Sequence, residues 1–109
     1  MVIGVDDEDV FKAVIQINKM GGGLVVASDG EIVEFLELPI AGLMSSEPIE
    51  IVQKRAEKLN ASAKQLGCTL DDPFMAMSFL ALPVIPKLKL TDLGLVDVEK
   101  FQFVDLFLD

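Results

Sequence analysis

The chain has 109 residues, 51% of them hydrophobic, with nine Lys and Arg against eighteen Asp and Glu for a net charge of −9. That length and composition predict one folded domain, 1–109, rather than a disordered chain, and the negative charge repels phosphate backbones and anionic lipid, so neither nucleic acid nor a membrane is an expected partner. There is no His, which removes the commonest general base and the commonest metal ligand, and no Trp or Tyr, so seven Phe supply all the aromatic bulk.

Met1 to Val5 reads as a short buried strand that runs straight into acid, without a signal-peptide pattern. In "DDEDVFKAVIQINKM", Asp6 is placed to cap a helix over 7–20. Asp7, Glu8 and Asp9 fall in its first turn, where the helix dipole favours negative charge, and Val10, Val14 and Ile17 share a face joined by Phe11 and Ile15. Gly21-Gly22-Gly23 ends that helix, the first glycine taking the left-handed cap conformation. A phosphate cradle is the functional alternative, but these glycines lead from helix to strand, the reverse of the order that aims backbone N–H groups at an anion.

"LVVA" is a buried strand and Ser28-Asp29-Gly30 a hairpin turn, giving strands at 24–28 and 31–38. Glu31, Glu34 and Glu37 are three apart, which suits a helix. Ile32, Val33 and Phe35 and the preceding turn favour a strand, with a bulge near Val33-Glu34 to reset the face. Those three glutamates, lacking His or a second cluster, read as a solvated edge rather than a metal site. "LPIAGLMSSEP" is a loop, unusually apolar, and so expected to lie under a cover. Ser46 is placed to cap a helix over 47–66 in which Val52, Ala56, Leu59, Ala63 and Leu66 recur on one face. Lys54, Glu57, Lys58, Lys64 and Gln65 take the outer side. The repeat is too short for a coiled coil, and Gly67 stops it.

Cys68 reads as a buried structural thiol rather than a nucleophile, because no His stands ready as its base, and a lone thiol suits a reducing cytoplasm. Asp71 or Asp72 is placed to cap a third helix at 73–82 with Pro73 at its start. The same pair as an acid–base site is the weaker reading, since acids just before a Pro commonly cap. From Phe74 to Pro86 run thirteen residues without a charge, fewer than the roughly 20 a membrane helix requires. This block reads as a buried core helix with Phe74, Phe79 and Leu82 inside, and Met75 and Met77 as filler rather than ligands. After Pro83 come strands at 87–91, 94–98 and 101–108, joined by Thr91-Asp92-Leu93-Gly94, with a second bulge at Phe103-Val104. The fold class expected is α+β: a mainly antiparallel sheet covered by two amphipathic helices, plus one buried apolar helix. No CxxC, nucleophile elbow or dinucleotide fingerprint is present, so the residues themselves offer no catalytic or metal site.

The segments "NKMGGGLVVASDGEI", "ELPIAGLMSSEPIE" and "LGCTLDDPFMAMSFLALPVIPKLKLTDLGLVDV" closely resemble the C-terminal region of bacterial adenine deaminases of the amidohydrolase superfamily, in order from about Gly4 to Phe107. The resemblance implies a longer enzyme that converts adenine and water to hypoxanthine and ammonia. Its histidines and carboxylates would sit on a barrel encoded before this segment, holding a divalent metal (Mn, Fe or Zn) that activates water. None of those ligands transfers to this chain. It is expected to pack on that barrel, to be inactive alone and to form a homo-oligomer. Leu38, Ile40, Leu43, Met44, Met75 and Met77 are the candidate barrel or subunit interface. A free-standing binding or regulatory module of the same fold is the alternative.

Overall fold

Residues 1–107 are described by a computed structural model, and they divide into two compact units, residues 2–73 and the chain from residue 74 onward. The α+β class is what the chain adopts, though with two antiparallel sheets, of two and three strands, where one had been expected.

In the first unit, helix α1 spans Asp7–Met20. Asp6 stays extended, and its carboxylate accepts from the N–H groups of Glu8 and Asp9, two donors that the first turn leaves without helical partners. At the other end Gly21 turns left-handed (φ 75°), with its N–H on Asn18 O and that of Gly22 on Ile17 O. That pair of reversed bonds is a Schellman motif. Strands β1 (Gly23–Ser28) and β2 (Glu31–Glu37) form a hairpin through Asp29 and Gly30, both with positive φ, as a type I′ turn demands. The register passes from Val26↔Glu34 to Ala27↔Ile32, so Val33 is the extra residue of the expected bulge.

Helix α2 spans Ile49–Gln65. Ser46 does not cap it: Pro48 is the N-cap, without a side-chain bond, and Ser45 Oγ accepts from Glu47 N–H instead. Pro48 disfavours helical backbone at the residue before it, which moves the start later. Gly67 (φ 96°) ends the helix in a second Schellman motif, with its N–H on Lys64 O and that of Cys68 on Ala63 O. Both helices pack on the β1–β2 hairpin. Val26, Leu36 and Leu59 are buried between these elements, with Val52, Ala56 and Ala63 half-buried on the same stripe of α2; Leu66 is exposed. The expected strand at 1–5 is absent: those residues join no ladder, and Val5 is fully exposed.

In the second unit, helix α3 spans Pro73–Ala81 and leads to a meander of β3 (Leu88–Thr91), β4 (Gly94–Asp97) and β5 (Gln102–Val104). Thr91 Oγ1 fixes the first turn, donating to Gly94 O at 2.8 Å and accepting from Leu93 N–H at 3.2 Å. Asp97 fixes the second, accepting from Lys100 N–H at 3.0 Å. β5 is shorter than expected and pairs with β4 in unbroken register, so no bulge falls between Phe103 and Val104; Leu108 of that expectation lies outside the described residues. Phe79 and Leu82 are not core: each is exposed, Phe79 to 52%. α3 makes no extended contact with β3, β4 or β5 that could enclose them.

Candidate functional site

Among the described residues, no group of three or more His, Cys, Asp and Glu could hold a metal ion. Glu31, Glu34 and Glu37 are spread along β2, and Glu34 is taken up locally, its Oε1 accepting from Phe35 N–H at 3.2 Å. Asp71 pairs with Lys64 at 3.0 Å. Cys68 is half-buried, and its backbone serves the helix cap. The described residues therefore do not fit a catalytic metal. A hollow of about 130 Å³ in the second unit, lined by Pro83, Val96, Val98, Phe101, Gln102 and Phe103, is smaller than the roughly 300 Å³ at which ligand pockets begin. No helix of the described residues is long and apolar enough to cross a membrane.

What the chain presents instead is built apolar surface. The segment 38–44 is a miniature hairpin. Ile40 and Met44 exchange both backbone hydrogen bonds at 3.1 Å, Leu43 N–H reaches Ile40 O, and Ala41 and Gly42 turn with φ of 56° and 72°. A left-handed Ala is costly, by about 1–2 kcal/mol, so this turn is held by its surroundings rather than by its own preference. The hold comes from the glycine run. Leu38 N–H donates to Gly22 O at 3.1 Å, and a side chain at Gly22 would collide with Gly42 Cα. The second glycine is thus there for close backbone approach, a role that its position between helix and strand did not disclose.

The result is a hydrogen-bonded turn with an apolar tip. Leu43 is 78% exposed, Met44 57% and Ile40 46%, while Leu38, nearest the glycines, is half-buried. These four candidate residues share one turn of the first unit. Met75 and Met77 lie on α3 of the second, Met75 exposed and Met77 half-buried. Ser78, the one polar side chain of α3, folds back on the helix and donates to Met75 O at 2.7 Å. Sequence reading missed the outer side of α1, where Phe11 and Ile15 are exposed one turn apart; their helical spacing had suggested burial with Val10 and Ile17.

Comparison with known proteins gives the chain a family. A family model described as "Adenine deaminase C-terminal domain" matches residues 1–102. The chain is 54% identical over 107 residues to an adenine deaminase of Desulfatibacillum aliphaticivorans, an alignment spanning 98% of this chain and 19% of the relative. It is 50% identical over 103 residues to the adenine deaminase of Brucella abortus (strain 2308), spanning 94% of this chain and 18% of that protein. To adenine deaminase 2 of Carboxydothermus hydrogenoformans it is 50% identical over 109 residues, spanning 99% and 19%. The chain therefore covers about a fifth of the length of the relatives it matches, and it belongs to the adenine deaminase C-terminal domain family.

Proposed function

We propose that this chain works as the C-terminal domain of an adenine deaminase, with the chemistry carried by the longer part of the protein. The observation that carries this reading is the mismatch of coverage. Nearly all of this chain aligns at about half identity with proteins named adenine deaminase, yet it accounts for under a fifth of each. In this reading the barrel holds the histidines, the carboxylates and a divalent metal (Mn, Fe or Zn), and there adenine and water give hypoxanthine and ammonia. Residues 1–109 act as a single domain that packs on that barrel. Leu38, Ile40, Leu43 and Met44, with Met75 and Met77, supply the interface to the barrel or to a second subunit of a cytoplasmic homo-oligomer. The exposure of Ile40, Leu43, Met44 and Met75 supports the assignment, because bare apolar surface marks interaction sites in soluble proteins.

The test uses the 109-residue chain, tagged, alone and co-expressed with the portion of the Desulfatibacillum aliphaticivorans relative that it does not match. Alone, with Mn²⁺, Fe²⁺ or Zn²⁺ added, the chain is expected to release no ammonia from adenine; co-expressed, it should co-purify with that catalytic body and support deamination. Ammonia release by the rigorously purified chain would refute the reading, and so would a catalytic body that never co-purifies with it.

A further inference from the structure

α3 has no polar face. At 100° per residue, Phe74, Met75, Met77, Phe79 and Leu80 are distributed around its whole circumference, and no charge occurs from Pro73 to Pro86. Met75, Phe79 and Leu80 are each more than half exposed, and the exposure continues through Leu82 and Val84. No strand of its own unit packs along the helix, which lacks extended contact with β3, β4 and β5, and Phe74 and Met77 are only half-buried. Nine residues are also too few to be helical unaided, because isolated helices shorter than about 12–15 residues are marginal in water. A short helix that is apolar all round takes its stability from burial on several sides.

We propose that α3 is a docking plug that becomes stably helical as it enters a groove on the rest of the deaminase chain. This rests on the reading of the chain as the C-terminal domain of a longer enzyme. The size of the helix decides the occupant. Two copies meeting through α3 would share a helix about 14 Å long, which offers far less than the roughly 800 Å² per partner of a standard interface. The four-fifths of the relatives' length that this chain does not match is a body large enough to surround the helix. A bilayer is the wrong solvent for a segment this short on a chain of net charge −9. Pro73 and Pro83 bracket the plug, one starting the helix and the other stopping it.

Hydrogen–deuterium exchange on residues 77–81 tests the plug, with α2 amides as the internal standard. In the dilute 109-residue chain these amides should exchange almost as fast as unfolded ones while α2 is protected; in the co-expressed complex they should slow by ~100-fold or more. Phe79→Asp should abolish that slowing and leave α2 protection unchanged. Protection of α3 in the dilute monomer would overturn the proposal. So would protection that rises with the chain's own concentration, which assigns the helix to a second copy, or protection by neutral lipid vesicles alone. A stable complex in which α3 still exchanges freely overturns the plug and leaves the C-terminal-domain reading standing, whereas failure to form any complex removes that reading and the plug with it.

Discussion

The carboxylate of Asp9, in the first turn of α1, accepts a hydrogen bond of 2.7 Å from the N–H of Gly30, the second turn residue of the β1–β2 hairpin, 21 positions later. The start of a helix and the tip of a hairpin are thereby tied at a partly buried point. A charged acceptor makes this bond stronger than a neutral one. Asp9→Ala should therefore destabilise the first unit by about 1–3 kcal/mol, against about 1 kcal/mol for removing the Asp6 cap. Urea denaturation of the two variants beside Asp7→Ala measures this; an Asp9 variant no worse than the Asp7 one would show the tie to be idle.

Gly21 and Gly22 are adjacent, and their substitution should give different results. A Cβ at Gly21 meets open space, so Gly21→Ala carries only the left-handed strain of about 1–2 kcal/mol. A Cβ at Gly22 meets the backbone of Gly42, which cannot rotate aside as a side chain can. Gly22→Ala should cost at least about 3 kcal/mol and displace the 38–44 turn. Thermal melts of both variants, with amide chemical shifts of residues 40–44, check it; equal costs would mean the two backbones have room to part.

Local chemistry made most of the first unit legible. Asp6 before an acidic turn, a glycine after each amphipathic helix and Asp29-Gly30 between two apolar strands all act through neighbours in sequence, and each forms as expected. The Asp9–Gly30 bond and the Gly22–Gly42 approach join segments some twenty residues apart, and a side-chain pattern carries no sign of either. α3 was misread for a different reason. Its hydrophobicity calls for enclosure, but pattern alone cannot say whether the enclosing surface belongs to the same chain, and Phe79 is half bare. The candidate interface residues Leu38, Ile40, Leu43 and Met44 carry a related signal, apolar side chains in a loop, which is legible because loops are usually polar.

Leu59 and Phe79 separate those two kinds of apolar residue. Leu59 is 0% exposed where α2 meets the hairpin, so Leu59→Ala should cost about 2–5 kcal/mol, the transfer of the lost methyls plus a cavity. Phe79 is the larger side chain, but half of it is already in water. Phe79→Ala should cost the isolated chain less than about 1.5 kcal/mol, roughly half the transfer value of a fully buried Phe. Chemical denaturation of both variants at low concentration decides between them, and a Phe79 variant as damaging as the Leu59 one would contradict the exposure of α3.

Asp97 gives the second unit an acid dependence. The Lys100 N–H, and then the Lys100 ammonium 3.1 Å away, hold its carboxyl below the ordinary 3.8. A depressed folded pKa means that the carboxylate contributes stability above the unfolded pKa, and that the contribution fades as pH falls below about 3.8 through the folded value. Asp97→Asn should be less stable than the parent from pH 7 down to about 5 by a constant margin, and that margin should close on further acidification. Exchange rates of the β4 amides, referenced to intrinsic exchange at each pH, follow it; a margin that widens in acid would reverse the sign of the shift.

Met44 offers the most direct test of the apolar turn. Its structural duties are met by its backbone, which pairs with Ile40 in both directions, while its side chain is 57% exposed. Met44→Glu should then leave the melting temperature of the isolated chain within a degree or two, because exposed substitutions away from special backbone change stability by roughly 0.5 kcal/mol or less. The same carboxylate placed in a dry interface has no partner and must be desolvated. Capture of the co-expressed catalytic body, and any self-association of the chain, should weaken at least tenfold, equivalent to about 1.4 kcal/mol, while Met44→Leu, which keeps the volume and the apolarity, should bind like the parent. Sedimentation and quantitative pull-down read the association, and a melt reads the fold. If Met44→Glu melts as early as Leu59→Ala, the side chain is core; if binding is unchanged while the fold holds, the interface lies on another face, with the exposed Phe11 and Ile15 of α1 the next residues to charge.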